Sequence, residues 1–212
     1  MKYLKLFENF EDYDPYELII LPPNKKAEMI IEQIEKGDKA NLNLVRDLIA
    51  LGTNLDWQDG FGFTVLFMCV FNSHLEIARM LIDAGADVNV QCDDGSTALY
   101  YCAKHNHPKM AKILIGAGAD LNIQNKFGYT ALHECAGWNY PKMAKMLIGA
   151  GADLNIQNEY GSTALYLCAV NNRPEIARML IDAGADKTIS NNEGKLPYEL
   201  AKTEELKELL KP

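Results

Sequence analysis

Apolar residues recur along most of the chain in short runs with helical spacing. Leu66 and Cys69 lie three residues apart, and after a polar break Ile77 and Leu81 lie four residues apart. Such spacing places apolar side chains on one side of a helix. The pattern therefore predicts two short helices separated by a turn, each with one buried side.

This helix pair repeats with a constant period of about 33 residues. Two glycine series advance in phase along the chain at that interval: Gly62, Gly95, Gly128, Gly161 and Gly194, and Gly52, Gly85, Gly118, Gly151 and Gly184. A period of this length is typical of a repeat protein, in which each unit buries its apolar side against its neighbours. The second series lies where the second helix ends, a position that favours a residue free to adopt a left-handed conformation.

The residues between the glycines repeat as well. Residues 76–87 and 175–186 both read EIARMLIDAGAD, and residues 110–125 and 143–158 differ only where Ile113 is replaced by Met146. A threonine precedes the first helix of each full unit, where its hydroxyl can cap the helix: Thr64, Thr97, Thr130 and Thr163. Alanine beside leucine in the second helix allows the two helices to pack about 8–10 Å apart.

The unit G-x-T-A-L-H/Y followed by E-I-A-R-M-L-I-D-A-G-A-D-V-N resembles the ankyrin repeat, and residues 130–133, TALH, match its T-P-L-H motif best. The resemblance covers about residues 24–212. It implies an all-α fold, a solenoid of helix-turn-helix pairs with projecting β-turn fingers. Three units depart from the family histidine, with Phe67, Tyr100 and Tyr166 in its place, so the hydrogen bonds of that histidine are not carried over to them.

The ends of the chain depart from the repeat. We expect a non-repeat N-terminal segment over residues 1–23, a capping unit over 24–56, four full repeats over about 57–190, and a C-terminal capping unit over 191–212. Within the first segment, the apolar run from Leu18 to Leu21 predicts an extended stretch that ends at Pro22. The segment either folds over the first repeat and shields its apolar end, or forms a tail that binds a partner.

The opening ten residues, MKYLKLFENF, are similar to the starts of proteins of large tailed bacteriophages. That resemblance implies an alternative function: a phage- or virus-encoded structural, assembly or inhibitory protein that docks through residues 1–23.

Composition and charge narrow the classes of partner. With 48% hydrophobic and 24% charged residues, the chain can bury a sizeable core and is not of the disordered class. A net charge of -8 and a pI of about 5.0 argue against nucleic-acid and anionic-lipid partners. No apolar run approaches the roughly 20 residues that span a bilayer. We expect a cytoplasmic monomer that binds neither nucleic acid nor membrane.

Most of the cysteines are predicted to pack in the core rather than to react or to bind metal. Four of them occupy the same place in successive units, where small core residues are expected: Cys69, Cys102, Cys135 and Cys168. Cys92 lies at a turn and is predicted to be more exposed and more reactive. Cys102, His105 and His107 have the spacing of half a zinc site, but no second pair completes it. With no nucleophile and base in a recognisable pattern, we expect no enzyme activity, no metal and no cofactor.

The resemblance implies that the finger tips and the inner ends of the first helices line a concave face that binds proteins. The candidate partner-binding residues are Phe61, Phe63, Phe71, Asn72, Asp94, Lys104, His105, Phe127, Tyr129, Trp138, Tyr160 and Asn171. Exposed aromatic clusters mark interaction sites. For Phe61, Phe127 and Tyr160 the alternative is that each ring packs on the neighbouring finger. The sequence therefore predicts a protein–protein interaction module with an aromatic binding face.

Overall fold

The computed structural model describes residues 15–212. Within that range the chain is helical, with thirteen α-helices, one 3-10 turn at Gly37–Lys39 and no β-strand. Its contacts divide it into a first unit, Met1–Asp93, and a second unit, Asp94–Pro212. Among the described residues, no helix combines the length and apolarity needed to cross a membrane.

The first unit contains two helix pairs preceded by a short helix. In chain order its helices are α1 (Pro15–Ile20), α2 (Pro23–Glu35), α3 (Leu42–Ala50), α4 (Val65–Phe71) and α5 (Leu75–Asp83). Helix α2 packs against α3 and α4, and α5 packs against α3 and α4. Ile30, Leu48 and Phe67 are fully buried between them, so an apolar core explains the pairing.

The apolar run that begins at Leu18 was predicted to be extended, and that prediction is wrong. Residues Pro15–Ile20 form a helix, and the chain bends only at Leu21. Proline at the first helical position has the backbone angle that a helix requires, which favours this start. Leu18 is buried, whereas Ile19 and Ile20 are exposed, so one side of the helix faces the protein.

A buried lysine links α1 to the first helix pair. Lys26 is only 3% exposed, and its ammonium group donates to the carbonyl oxygens of Leu51 at 2.7 Å and Ile19 at 3.5 Å. Both carbonyls lie at helix C-terminal ends, where backbone acceptors lack helical partners and carry partial negative charge. Lys26 thus stabilises the attachment of α1 through two otherwise unpaired helix ends.

The second unit contains three helix pairs and a short closing pair. Its helices are α6 (Ala98–Lys104), α7 (Pro108–Gly116), α8 (Ala131–Trp138), α9 (Pro141–Gly149), α10 (Ala164–Asn171), α11 (Pro174–Asp182), α12 (Pro197–Leu200) and α13 (Glu204–Leu210). The first helices α6, α8 and α10 pack in one row, continued by α12, and the second helices α7, α9 and α11 in another, continued by α13. The repeated leucines predicted to be core are buried.

Threonine was predicted to cap the first helix of each full unit, and two of the four threonines do so with a single side-chain hydrogen bond. The hydroxyls of Thr97 and Thr163 accept from the backbone N–H groups of Tyr100 and Tyr166, each at 3.2 Å. Thr130 takes part in a reciprocal arrangement with His133. Thr64 has the same extended backbone, but its side chain makes no cap hydrogen bond. Three of the four threonines therefore help to begin their helices through side-chain contacts.

The four repeated cysteines are completely buried, which confirms them as core residues: Cys69, Cys102, Cys135 and Cys168. Burial raises the pKa of each thiol, so the unreactive protonated form is favoured. Cys92 is buried too, and the prediction that it is exposed is wrong. It lies one repeat before Asn125 and two repeats before Asn158, and both asparagines are also buried at the bases of their fingers.

Candidate interaction surface

Each finger of the second unit is a tight turn closed by an asparagine at its base. Asn125 Oδ1 accepts from the backbone N–H groups of Phe127 and Tyr129, both at 3.0 Å. Asn158 Oδ1 accepts from Tyr160 at 3.0 Å and from Ser162 at 2.9 Å. Asparagine favours such turns because its side chain mimics a backbone acceptor. The turns present Phe127 and Tyr160 at their tips.

Successive fingers of the second unit are joined by their backbones. The N–H groups of Lys126, Glu159 and Asn192 donate to the carbonyls of the preceding finger at 2.8, 3.1 and 3.0 Å. Gly128 has a φ of 77°, and a Cβ there would lie 2.7 Å from the Cα of Asn158. The finger glycine is therefore required both for its backbone conformation and for this close approach.

Side-chain amides add a second set of links between these loops. Gln124 Nε2 donates to the carbonyls of Gly128 at 2.8 Å and Gln157 at 3.0 Å. At the ends of the connecting arms, Asn122 Oδ1 accepts from the backbone of Asp153, and Asn155 Oδ1 accepts from the backbone of Asp186, both at 2.9 Å. The fingers therefore form a braced row of turns rather than independent loops.

Trp138 lies exposed at the end of α8, and its side chain is held in place by a hydrogen bond to a buried residue. It is 61% exposed, but its indole Nε1–H donates to Glu134 Oε2 at 2.9 Å. Glu134 is only 9% exposed, and its other oxygen accepts from the Tyr100 hydroxyl at 2.7 Å. One buried carboxylate thus anchors an exposed indole and a tyrosine of the preceding repeat. Neither Glu134 nor Tyr100 is among the candidates predicted from the sequence.

Two of the three residues that replace the family histidine, Tyr100 and Tyr166, also make links between repeats. Burial and the hydrogen bond to Glu134 raise the pKa of Tyr100, which keeps its hydroxyl a donor. Tyr166 accepts from Asn191 Nδ2 at 2.9 Å. His133, the one histidine retained, lies 3.0 Å from the carbonyl of Ser162 through Nε2. Tyrosine therefore supplies hydrogen bonds of its own where the family pattern has histidine.

Tyr101 organises the polar candidates at the end of α6. The His105 ring stacks on it with centroids 6.0 Å apart, and Lys104 Nζ lies 5.6 Å from its ring centroid. Its hydroxyl donates to Asp94 Oδ2 at 3.4 Å. Asp94, Lys104 and His105 are thus brought together around one half-buried ring. Asn171, at the end of α10, donates to the carbonyl of Leu167 at 2.9 Å and helps to end its helix.

The candidate residues of the first unit form an aromatic cluster. The centroid of the Phe63 ring lies 5.1 Å from the ring centroid of Phe71, 5.3 Å from that of Phe67 and 6.2 Å from that of Phe61. Phe63 is therefore half-buried, as is Tyr129 in the second unit, whereas Phe61 is 70% exposed. Asn72 donates to the carbonyl of Met68 at 3.0 Å, beside this cluster.

The cysteine and histidine residues with zinc-like spacing do not form one cluster. Cys102 is completely buried, whereas His105 is exposed and His107 half-buried, with 6.2 Å between their ring centroids. Across residues 15–212, no group of three or more histidine, cysteine, aspartate or glutamate side chains is placed to hold a metal ion.

Comparison with models of known protein families shows which family the chain matches. The model of ankyrin repeats, in three copies, matches residues 34–125 and 117–191, which is more than half of the chain. The protein belongs to the ankyrin-repeat family, and the predicted all-α ankyrin fold is confirmed. A search of curated proteins found no significant match. Ankyrin repeats are generally protein–protein interaction modules and are typically non-enzymatic.

Proposed function

We propose that the finger and inner-helix surface of the second unit binds a partner protein, with Trp138 as its central contact. The observation that carries the proposal is an indole that is 61% exposed yet hydrogen-bonded to a buried carboxylate. Tryptophan is among the residues that contribute most to binding energy in protein interfaces. An exposed tryptophan held in one orientation fits a binding contact better than a solvated surface.

The anchoring favours binding for a physical reason. A side chain that becomes ordered only on binding loses conformational entropy, about 0.5–1.5 kcal/mol for a flexible group. The hydrogen bond from Trp138 to Glu134 restricts the indole before any partner arrives. The asparagine-closed turns do the same for the backbones that carry Phe127 and Tyr160. These contacts reduce the ordering that association requires.

The composition of the surface also matches that of an interface. Apolar rings at Phe127, Trp138 and Tyr160 are exposed, and charged side chains lie next to two of them, at Lys126 and Glu159. Aromatic contacts surrounded by polar groups are the usual arrangement of interface centre and rim. In the first unit, Phe61 and Phe71 provide a second exposed aromatic region that we include in the proposal.

The experiment is quantitative affinity capture with the full chain, compared with Trp138→Ala and with the double variant Phe71→Ala, Trp138→Ala. We expect captured proteins to be lost stepwise. The thermal melting midpoint should change little in Trp138→Ala, because the indole is 61% exposed, and should fall modestly in the double variant, because Phe71 is only 38% exposed and packs on Phe63. Ile20→Ala is a matched control, since Ile20 is 81% exposed but belongs to α1. Retention of every captured protein by the double variant would contradict the proposal.

A second candidate function is docking through residues 1–23, as a structural, assembly or inhibitory protein. It is favoured by the exposure of Ile19 and Ile20 on α1. Residues 1–14 lie outside the described range, so the observation concerns α1 alone. Here Ile20→Ala should release the captured partner and Trp138→Ala should not, the reverse of the first proposal. The contacts of Leu18 and Lys26 favour attachment of α1 as a cap.

For its setting, we propose a monomer in the cytoplasm. The chain has five cysteines, an odd number, and the structure buries all of them without a disulfide. Such usage suits a reducing compartment. Sedimentation of the purified chain at micromolar concentration tests the monomer, and a dimer mass would contradict it.

A further inference from the structure

Helices α7 and α9 carry four exposed lysines at matching positions. Lys109 and Lys112 lie on α7, and Lys142 and Lys145 follow one repeat later on α9. Within the described part of the chain, none of the four takes part in an ion pair. These residues, the lysine patch below, lie on the outer helices and belong to neither the fingers nor the inner helix ends.

The other two outer helices differ at the same positions. Helix α11 has Glu175, Arg178 and Asp182 where α9 has Lys142, Lys145 and Gly149, and α5 shares the charges of α11. On α11 the arginine is paired, with Arg178 Nη2 3.3 Å from Glu205 Oε1. Helices α7 and α9 therefore carry only positive charges at positions where α5 and α11 carry both positive and negative ones.

The geometry of the patch concentrates its charge. Residues three apart on a helix are neighbours on its surface, so each helix presents its two lysines together. Helices α7 and α9 pack against each other, at an axial distance of about 10 Å. The two lysines of each helix are close enough to repel one another, and no acidic side chain of the described residues forms an ion pair with any of the four. Glu175 on α11 occupies the position of Lys142 one repeat later along the same row of helices.

We propose that the lysine patch binds an acidic segment of a partner protein, at a surface separate from the fingers. Charge complementarity identifies the partner, because carboxylates would neutralise lysines that pair with no acidic side chain among residues 15–212. An extended chain advances about 3.3 Å per residue, so carboxylates three residues apart match the spacing between the two helices.

The charge of the whole chain does not prevent this binding. The protein carries a net charge of -8, which would repel an acidic ligand at long range. At physiological salt, however, interactions between exposed charges are largely screened beyond about 8 Å. A bound acidic segment therefore responds mainly to the four nearby lysines.

Nucleic acid and membranes fit the patch less well. Duplex binding depends on many phosphate contacts and a broad basic face, which four lysines on an acidic chain do not provide. A helix that lies on a membrane presents an apolar side to it, but the apolar side of α7, including Met110 and Leu114, is buried in the core. An acidic protein segment requires only the local charge that the patch has.

The test measures binding of a labelled glutamate peptide of about ten residues to the full chain by fluorescence anisotropy at low and physiological salt. The patch variant replaces all four lysines with glutamine. The matched control replaces four other exposed lysines, Lys36, Lys39, Lys202 and Lys211, so both variants have the same net charge. We expect the patch variant to bind at least ~10-fold more weakly and the control to change less than ~2-fold.

Other outcomes would overturn the proposal. Equal weakening in both variants would mean that only the overall charge matters. No binding of the peptide to the native chain at low salt would remove the patch as a site for acidic protein. Tighter binding to duplex DNA or to phosphatidylserine vesicles than to the peptide would assign the lysines to a different class of partner. Trp138→Ala should leave peptide binding unchanged, because the two surfaces are separate.

Discussion

The two units hold their exposed aromatic residues in different ways. In the first unit, phenylalanine rings pack on one another around Phe63, which becomes half-buried as a result. In the second, a polar group holds the exposed indole in place, since Glu134 accepts from Trp138 Nε1. The finger turns do not differ in this way, because Asp59 Oδ1 closes the turn that presents Phe61 just as Asn125 Oδ1 closes the turn that presents Phe127. Polar anchors leave the ring faces free, whereas ring-on-ring packing uses them. The second unit is therefore the better candidate for a preorganised binding surface.

The largest expected effect concerns the finger backbone, which both units share. Gly128→Ala should destabilise the protein by about 3 kcal/mol or more, because it combines a left-handed backbone with a clash against the next finger. Gly118→Ala is the matched control, with a φ of 86° but open space around its Cβ, and should cost about 1–2 kcal/mol. Urea unfolding measures both, and equal losses would show that the close approach is unimportant.

His133 gives the second unit a pH dependence. Burial lowers its pKa to about 4 from an ordinary value of 6.5, and its backbone hydrogen bonds offset only part of that effect. Above pH 6.5 the neutral imidazole of His133 contributes fully to the free energy of unfolding. Between pH 6.5 and pH 4 only the unfolded chain takes up the proton, so about 3 kcal/mol of stability is lost. Below pH 4 the loss levels off.

The control is His133→Tyr, which introduces the residue found at the equivalent positions 100 and 166. Unfolding measured from pH 7 to pH 4 should show a smaller loss of stability in this variant. An unchanged pH profile would mean that other groups cause the acid sensitivity.

Ring packing in the first unit is testable at Phe63. Phe63→Ala removes contacts with three neighbouring rings and should cost about 2 kcal/mol, less than the 3–5 kcal/mol typical of a fully buried phenylalanine. Phe61→Ala, at a ring that is mostly solvent-exposed, should cost below about 1 kcal/mol. Similar losses from both variants would show that Phe63 is not the centre of the cluster.

Glu134→Gln has the smallest expected effect on stability, about 1 kcal/mol, since glutamine keeps the shape but has one acceptor oxygen where Glu134 has two, one accepting from Tyr100 and one from Trp138. Trp138 should then become more mobile. The chain has two tryptophans, so fluorescence anisotropy decay in a Trp57→Phe background reports on Trp138 alone. An unchanged decay would show that Glu134 does not restrict the indole.

The sequence predicted the repeated parts of this protein far better than its exceptions. The constant repeat period indicated the helix pairs, the buried cysteines and the finger glycines, because every repeat obeys the same packing. Glu134 could not be predicted, since its equivalents Met68, Tyr101 and Leu167 share no chemistry with it. Its role depends on Tyr100 of the preceding repeat, a contact that only the stacking of repeats creates.

The same reasoning explains the two errors. The helix Pro15–Ile20 is too short for its apolar run to show a period, so proline at its start was the better signal. The location of Cys92 in a turn predicts exposure, but the structure buries this position at the base of a finger, as it buries the equivalent Asn125 and Asn158. Polar residues at the equivalent positions give no sequence signal of that burial.

The most direct test of the binding proposal is the emission of Trp138 in the Trp57→Phe chain as a captured partner is added. If the anchored indole is the central contact, its emission should shift to shorter wavelength, and quenching by acrylamide should decrease as the ring leaves water. A partner that binds at saturation while Trp138 emission and quenching stay unchanged would contradict the proposal.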